Sequence, residues 1–355
     1  VTRRPLISIS LGDPGGIGPE IVVAALKDRA VAAQARYAIH GSSSALLAAA
    51  EALSVEPVWW RVDARRDDLA ESAAGHDVVL YDSDPELVEQ GRPTEFEHRA
   101  TKLGGALSFR WVEAAIADAR RDPGDPRRAG AVVTAPISKE AWSLAGKGRW
   151  PGHTELFAHR FKAPRYAMMF VGDRLRVVLA TVHVPLMDVR NELTIGAVHT
   201  AIDLGHDACT RLGIRHPRIA VAGLNPHAGE GGLMGDEEAR IIAPAIELAG
   251  EHGIDVSGPY PGDTVFNAAV AGRFDLVVAM YHDQGLIPVK LLERDLAVNT
   301  TLGLPVPRTS PDHGTAFDIA GTGRANPGSM VSSLRLAARL AVTNAPDGAA
   351  TRSGR

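Results

Sequence analysis

Leu6-Ile7-Ser8-Ile9-Ser10-Leu11-Gly12-Asp13-Pro14-Gly15-Gly16-Ile17-Gly18-Pro19-Glu20 runs from an apolar segment through a glycine-rich turn into a helical pattern. Leu6–Leu11 reads as a strand, and Pro19 fits the opening of a helix, where its missing N–H has no intrahelical partner to lose. The same succession recurs along the chain. Strands are predicted at Tyr37–His40, Val78–Tyr81, Ala131–Thr134, Ala167–Val171, Val177–Val182, Ile219–Ala222 and Leu276–Met280. Amphipathic stretches, Gly105–Ala119, Thr194–Leu212 and Asp236–Glu251 among them, lie between these runs. Short apolar runs alternating with helical patterns predict an α/β fold. Phe170-Val171-Gly172-Asp173-Arg174-Leu175 looks like a hairpin turn, so the sheets should be mixed. Arg121–Gly130, rich in Pro, Gly and charge, reads as a surface loop.

The chain has 355 residues, 45% of them hydrophobic, enough for a large core and two lobes. Net charge is −4 with no long basic run, which argues against a dedicated nucleic-acid surface. No apolar run reaches the ~20 residues that span a bilayer. The start, Val1-Thr2-Arg3-Arg4-Pro5, is basic, but the apolar stretch after it is too short for a signal-peptide core, so a cytoplasmic protein is expected. Cys209, the single cysteine, precludes an internal disulfide and reads as a buried structural thiol in a reducing compartment. The tail Ala345–Arg355 lacks apolar pattern and is expected to be disordered.

Gly12–Glu20 and Gly229-Glu230-Gly231-Gly232-Leu233-Met234-Gly235 carry neither a dinucleotide fingerprint nor a Walker loop. Either could be a tight turn or a place where backbone meets a ligand. Of 13 histidines, His159, His199, His206, His216 and His252 lie in helical or turn contexts that suit surface or capping roles. His183, His227 and His282 share another address, just beyond predicted strands. Ligands of open α/β sheets bind at the carboxyl ends of strands, and three imidazoles there could converge on one divalent metal. Three unrelated polar strand ends would give the same pattern. Asp283 could orient His282 or act as a base. His153 and Thr154 open a helix, a place for a cap or for an anionic group. Lys290 and Arg308 sit in apolar or proline-rich, turn-like surroundings, where a cation usually has a partner; a phosphate or carboxylate would serve.

With these residues collected, the chain resembles the 4-hydroxythreonine-4-phosphate dehydrogenase family over nearly its whole length. The resemblance rests on Gly12–Glu20, Gly152-His153-Thr154-Glu155 and Leu224-Asn225-Pro226-His227-Ala228-Gly229-Glu230. It continues through Pro261-Gly262-Asp263-Thr264, Tyr281-His282-Asp283-Gln284-Gly285 and His313–Gly323. The resemblance implies the two-lobed fold of isocitrate and isopropylmalate dehydrogenases, with mixed sheets and an active-site cleft between lobes. The lobes are expected at 1–130 plus 300–344, carrying the cofactor loop, and at 131–299, carrying the metal site and dimer interface. It further implies a non-Rossmann NAD or NADP site at His313, Gly314, Thr315, Ala316, Asp318, Ile319, Gly321 and Asn326. His183, His227 and His282 would hold a metal, for which imidazole suits zinc, cobalt or nickel better than magnesium. His153, Thr154, Lys290, Asn299 and Arg308 would hold the substrate, and Asp263, Asp283 and His153 are the candidate bases. A homodimer with shared active sites is also implied.

The implied reaction is NAD-dependent oxidation of 4-phosphohydroxy-L-threonine to a 3-oxo acid. Loss of its carboxylate gives 3-amino-2-oxopropyl phosphate, a precursor of pyridoxine 5′-phosphate. Thr134-Ala135-Pro136-Ile137-Ser138-Lys139-Glu140-Ala141-Trp142 departs from this pattern and resembles a sister group acting on 4-phospho-D-threonate and 4-phospho-D-erythronate. An acyl-phosphate transferase of similar fold, or a silent binding protein, would have no need of three histidines beside a nicotinamide loop.

Overall fold

The computed structural model describes residues 4–343; the tail expected from Ala345 onward lies outside them. The chain divides into two compact units. The first comprises the described residues up to Gly148, Gly314–Pro327 and those from Leu334 onward; the second is Arg149–His313 with Gly328–Ser333.

In the first unit, β1 (Leu6–Ser10), β2 (Arg36–Gly41), β3 (Trp60–Asp63), β4 (Val78–Asp82) and β5 (Ala131–Thr134) lie in the order β3-β4-β2-β1-β5, every neighbouring pair parallel. Burial of Ile7, Ile9, Ile39, Leu80, Val132 and Val133 explains why these strands read as near-continuous apolar runs. Truncating any one of the larger of these, such as Ile7 or Leu80, to Ala should cost roughly 2–5 kcal/mol.

The second unit holds β6 (Ala167–Val171), β7 (Arg176–Leu179), β8 (Ile219–Ala222), β9 (Val256–Tyr260), β10 (Leu276–Ala279), β11 (Val298–Leu302) and β12 (Arg308–Pro311). Their order is β12-β11-β6-β7-β10-β8-β9. The β12/β11, β11/β6 and β6/β7 pairs are antiparallel, and the rest are parallel. The expected hairpin is the β6–β7 turn. Buried Glu293 holds it by accepting hydrogen bonds from the backbone N–H of Asp173 at 2.6 Å and Leu175 at 3.1 Å. Cys209 is buried, and burial pushes its thiol up to about 12, as befits a packing residue.

Unit membership follows strand pairing. Residues 131–134 fall in the first unit because β5 pairs with β1, and 300–313 fall in the second because β11 pairs with β6. The lobe boundaries expected near 130 and 300 differ from these divisions for that reason. β3, β9, β11 and β12 carried no strand signal. β9 contains Gly258-Pro259, and β11 and β12 consist mostly of polar residues that are nonetheless buried, such as Thr300, Thr301 and Thr309. Arg308, expected in a turn-rich segment, instead opens β12 and pairs across to Thr301. No helix among the described residues is long and apolar enough to cross a membrane.

Candidate active site

The first unit gathers the glycine turn and the expected cofactor loop. β1 delivers the chain into Gly12–Ile17, whose Asp13 N–H donates to the Pro136 carbonyl at 2.9 Å. The turn and the 314–323 loop then touch directly: Ile17 N–H donates to the Thr315 carbonyl at 2.9 Å. Glycine is required at 16, because a Cβ there would lie 2.9 Å from that same carbonyl oxygen. Glu20, buried in the first turn of the helix Gly18–Lys27, accepts the N–H of Gly321 in a short hydrogen bond and that of Gly323 at 3.0 Å. The loop is thus anchored at both ends. Gly314, Asp318 and Asn326 are exposed or partly so, Thr315, Ala316 and Ile319 line the same loop, and Gly321 turns with φ +76°.

Asp13 is enclosed behind this surface, 1% exposed. Burial pushes its carboxyl up to about 6, against the opposing hydrogen bond from Gly15 N–H at 3.1 Å. The residues of the sister-group pattern lie nearby in sequence but split in role. Ala141 and Trp142 are buried, with Trp142 Nε1 donating to Ser108 Oγ at 3.0 Å, whereas Lys139 and Glu140 face solvent.

The second unit carries the histidines. β7, β8 and β10 are neighbours in the order β7-β10-β8, so His183, His227 and His282 follow their carboxyl ends. Each ring has Nδ1 against a carboxylate: His183 with Glu155 at 3.4 Å, His227 with Glu230 at 2.9 Å and His282 with Asp283 at 2.7 Å. A carboxylate there favours the Nδ1–H tautomer and leaves Nε2 as the lone pair, the arrangement a metal ligand needs. The His183 and His282 rings lie 5.8 Å apart. His227 stands on a separate turn, and among the described residues no three His, Cys, Asp or Glu side chains form a ready ligand set. The donor chemistry fits a divalent cation, while this conformation brings together two of the three rings.

Two side chains overlooked by the sequence reading tie these turns together. Gln284 donates Nε2–H to the Gly223 carbonyl and accepts the Met280 N–H, both at 2.7 Å, linking the ends of β8 and β10. Thr181 Oγ1 donates to the Met280 carbonyl at 2.7 Å, linking β7 to β10. Gln284 was visible inside the run Tyr281–Gly285, but an amide beside a histidine and an aspartate drew no role. A Cβ at Gly262 would lie 3.0 Å from Gln284 Nε2, so the turn bearing exposed Asp263 abuts the same segment.

The expected substrate residues form a second group. His153 and buried Thr154 open the helix His153–Phe161, and Thr154 Oγ1 lies 3.4 Å from Thr301 Oγ1. Arg308 is 2% exposed, donates to Thr301 Oγ1 at 3.4 Å and lies over the Phe157 ring at 5.9 Å. Burial lowers its guanidinium to about 9 against the opposing charge of Glu155, so it stays cationic at neutral pH. Asn299 is two residues from Thr301 on β11, hence on the same face, and its buried Oδ1 has no hydrogen-bond partner. Lys290 is half-exposed on the helix His282–Glu293 and has a carboxylate partner in Asp312 at 3.2 Å. Glu155, between His183 and Arg308, is the carboxylate that the sequence reading passed over, although it ends the Gly152–Glu155 run.

Residues 33–337 match the family profile described as pyridoxal phosphate biosynthetic protein PdxA. The chain belongs to this family. A 4-hydroxythreonine-4-phosphate dehydrogenase of Desulfosudis oleivorans is 46% identical over 341 residues, covering 94% of this chain and 95% of that protein. A D-threonate 4-phosphate dehydrogenase of Cupriavidus necator is 42% identical, covering 96% of this chain and 98% of that protein. A crystal structure of a 4-hydroxythreonine-4-phosphate dehydrogenase from Klebsiella pneumoniae superposes with a TM-score of 0.79 at 40% identity, over 96% of this chain and 99% of that one.

Proposed function

We propose that the chain oxidises 4-phosphohydroxy-L-threonine with a nicotinamide cofactor and a divalent metal. The dehydrogenase class follows from family membership. The observation that carries the substrate class is Arg308: a buried guanidinium beside Thr301, whose hydroxyl in turn lies near that of Thr154, suits a phosphorylated ligand, since arginine holds phosphate through paired hydrogen bonds.

In this reading Arg308 and Lys290 bind the substrate anion, while Thr154 and Asn299 orient its polar groups. Glu155, Glu230 and Asp283 hold His183, His227 and His282 with Nε2 available for zinc, cobalt or nickel. Such a cation would supply Lewis-acid stabilisation of the negative charge that develops on the substrate oxygen. NAD or NADP, placed against Thr315–Gly323, supplies the two-electron acceptor. Asp283 is engaged by His282, which leaves His153 and Asp263 as the candidates to accept the hydroxyl proton. The oxidised 3-oxo acid then loses carbon dioxide to give 3-amino-2-oxopropyl phosphate.

A homodimer with shared sites is part of the same proposal. Met187, Leu233 and Leu291 follow the three histidines in sequence and are 86%, 85% and 83% exposed. Large apolar side chains this exposed suit contact with a second copy, which would also complete the ligand set.

The test is NADH formation with 4-phosphohydroxy-L-threonine beside 4-phospho-D-threonate and 4-phospho-D-erythronate. The main reading expects the highest kcat/KM for the first. Preference for 4-phospho-D-threonate would transfer the assignment to the reaction in the Cupriavidus necator relative's name, and preference for 4-phospho-D-erythronate to the other acid of the sister group.

A further inference from the structure

His227 sits on an unusual turn. Beyond β8 the chain passes through Gly223-Leu224-Asn225-Pro226, and then five successive residues adopt left-handed backbone angles: His227 at φ +53°, Ala228 +53°, Gly229 +82°, Glu230 +45° and Gly231 +66°. Only glycine takes such angles without cost; a non-glycine residue held there costs of order 1 kcal/mol or more and persists only where its surroundings impose it. Three of the five are not glycine, so something must hold this turn.

The holder is Glu238, buried at the start of the π-helical turn Glu238–Ile242. One carboxylate oxygen accepts the N–H of Leu224 at 2.8 Å and that of Asn225 at 2.7 Å. The other accepts Asn225 Nδ2–H at 2.9 Å, and the same amide nitrogen donates to Glu237 at 2.7 Å. Gly229 lies against the carboxylate: a Cβ there would stand 2.8 Å from Glu238 Oε2. The group therefore fixes the turn just before His227 and bounds it just after. The imidazole itself has another partner, Glu230, at 2.9 Å from its Nδ1.

We infer that Glu238 is the positioning residue that pre-forms the His227 turn for metal binding, a role that rests on the proposed reading of His227 as a ligand. A buried carboxylate accepting several N–H donors is a strong anchor because each bond is charge-assisted. Without it the left-handed run would relax toward ordinary backbone, and His227 would have to be reordered each time a metal bound. Outer groups that hold metal ligands typically contribute about 10–100-fold in affinity.

The experiment measures Zn²⁺ affinity by competition with a chromophoric chelator, alongside Tm of the metal-free protein, for wild type, Glu238→Ala, Glu238→Gln and His227→Ala. Glu238→Ala should lose about 10–100-fold in Zn²⁺ affinity while the protein remains folded. Glu238→Gln keeps an acceptor for the two backbone amides and should lose less than Glu238→Ala. A Glu238→Ala protein with lowered Tm but wild-type Zn²⁺ affinity would overturn the inference, because a merely structural anchor affects stability alone. Wild-type affinity in His227→Ala would overturn the reading of His227 itself, and the inference with it. Loss in His227→Ala without loss in Glu238→Ala would leave that reading intact and reject only the role of Glu238.

Discussion

The glycine turn of the first unit and the histidine turns of the second both lie beyond the carboxyl ends of parallel strands, yet they are finished differently. From Leu11 to Glu20 every residue is buried, and the 314–323 loop is anchored to that turn by backbone and carboxylate hydrogen bonds. The three histidine side chains are instead 38–60% exposed, and two of the three rings approach one another. In the proposed reading, a loop that meets the cofactor would gain from being preformed. By the same reading, a metal-ligand set that draws on more than one chain would stay open in each separate chain.

The comparison breaks most visibly at the histidines. Replacing His183, His227 or His282 with Ala should lower turnover by about 10²-fold or more, with the metal lost and NAD affinity retained. Near-normal activity of any one of these proteins, after metal depletion, would remove that residue from the ligand set. Arg308 comes next. Arg308→Ala should reduce kcat/KM by roughly 30- to several-thousand-fold, corresponding to ~2–5 kcal/mol for an orphaned buried contact. That loss should appear with the phosphorylated substrate and be small with its unphosphorylated analogue; equal losses would show that Arg308 does not read the phosphate.

Glu20 sharpens the other side of the comparison. Glu20→Gln weakens two charge-assisted bonds to the 314–323 loop, and hydrogen bonds to charged groups contribute ~1.5–3 kcal/mol. NAD affinity measured by titration should fall by about tenfold, with Zn²⁺ affinity unchanged; an unchanged NAD affinity would place the cofactor elsewhere. The same should hold more weakly for exposed Asp318→Ala, since this loop is expected to meet adenosine.

Asp13 gives the smallest functional effect and a defined pH signature. Its carboxyl is raised from 3.8 to about 6 by burial, so the folded state binds the proton more tightly than the unfolded chain. That contribution is fully present below pH ~4 and is lost as pH rises toward 6, amounting to roughly 3 kcal/mol. Asp13→Asn should therefore flatten the stability profile between about pH 4 and 6 and stabilise the protein at neutral pH. An unchanged slope would mean that the N-terminus of the helix Lys102–Ala119, close to this carboxylate at Gly104, offsets the burial.

The buried parallel strands were legible in the sequence because two-sided burial writes itself as apolar runs, such as Ala131–Val133 in β5 and Leu276–Ala279 in β10. β11 and β12 were illegible for the opposite reason: Asn299, Thr301 and Arg308 occupy them, so polar residues stand where a strand pattern is sought. The histidines could be found from their place after strands. Glu20, Glu155, Glu238 and Gln284 could not, because each acts on a segment whose proximity only the fold creates. That Lys290 has a partner was legible from its surroundings, but which carboxylate was not, since Asp312 is distant in sequence.

The most direct measurement strips the protein of metal and follows NAD binding and NADH formation separately. The account predicts that the metal-free protein still binds NAD, forms no NADH from 4-phosphohydroxy-L-threonine, and regains turnover when Zn²⁺ or Co²⁺ is restored. Full turnover without metal, or loss of NAD binding on stripping, would contradict it.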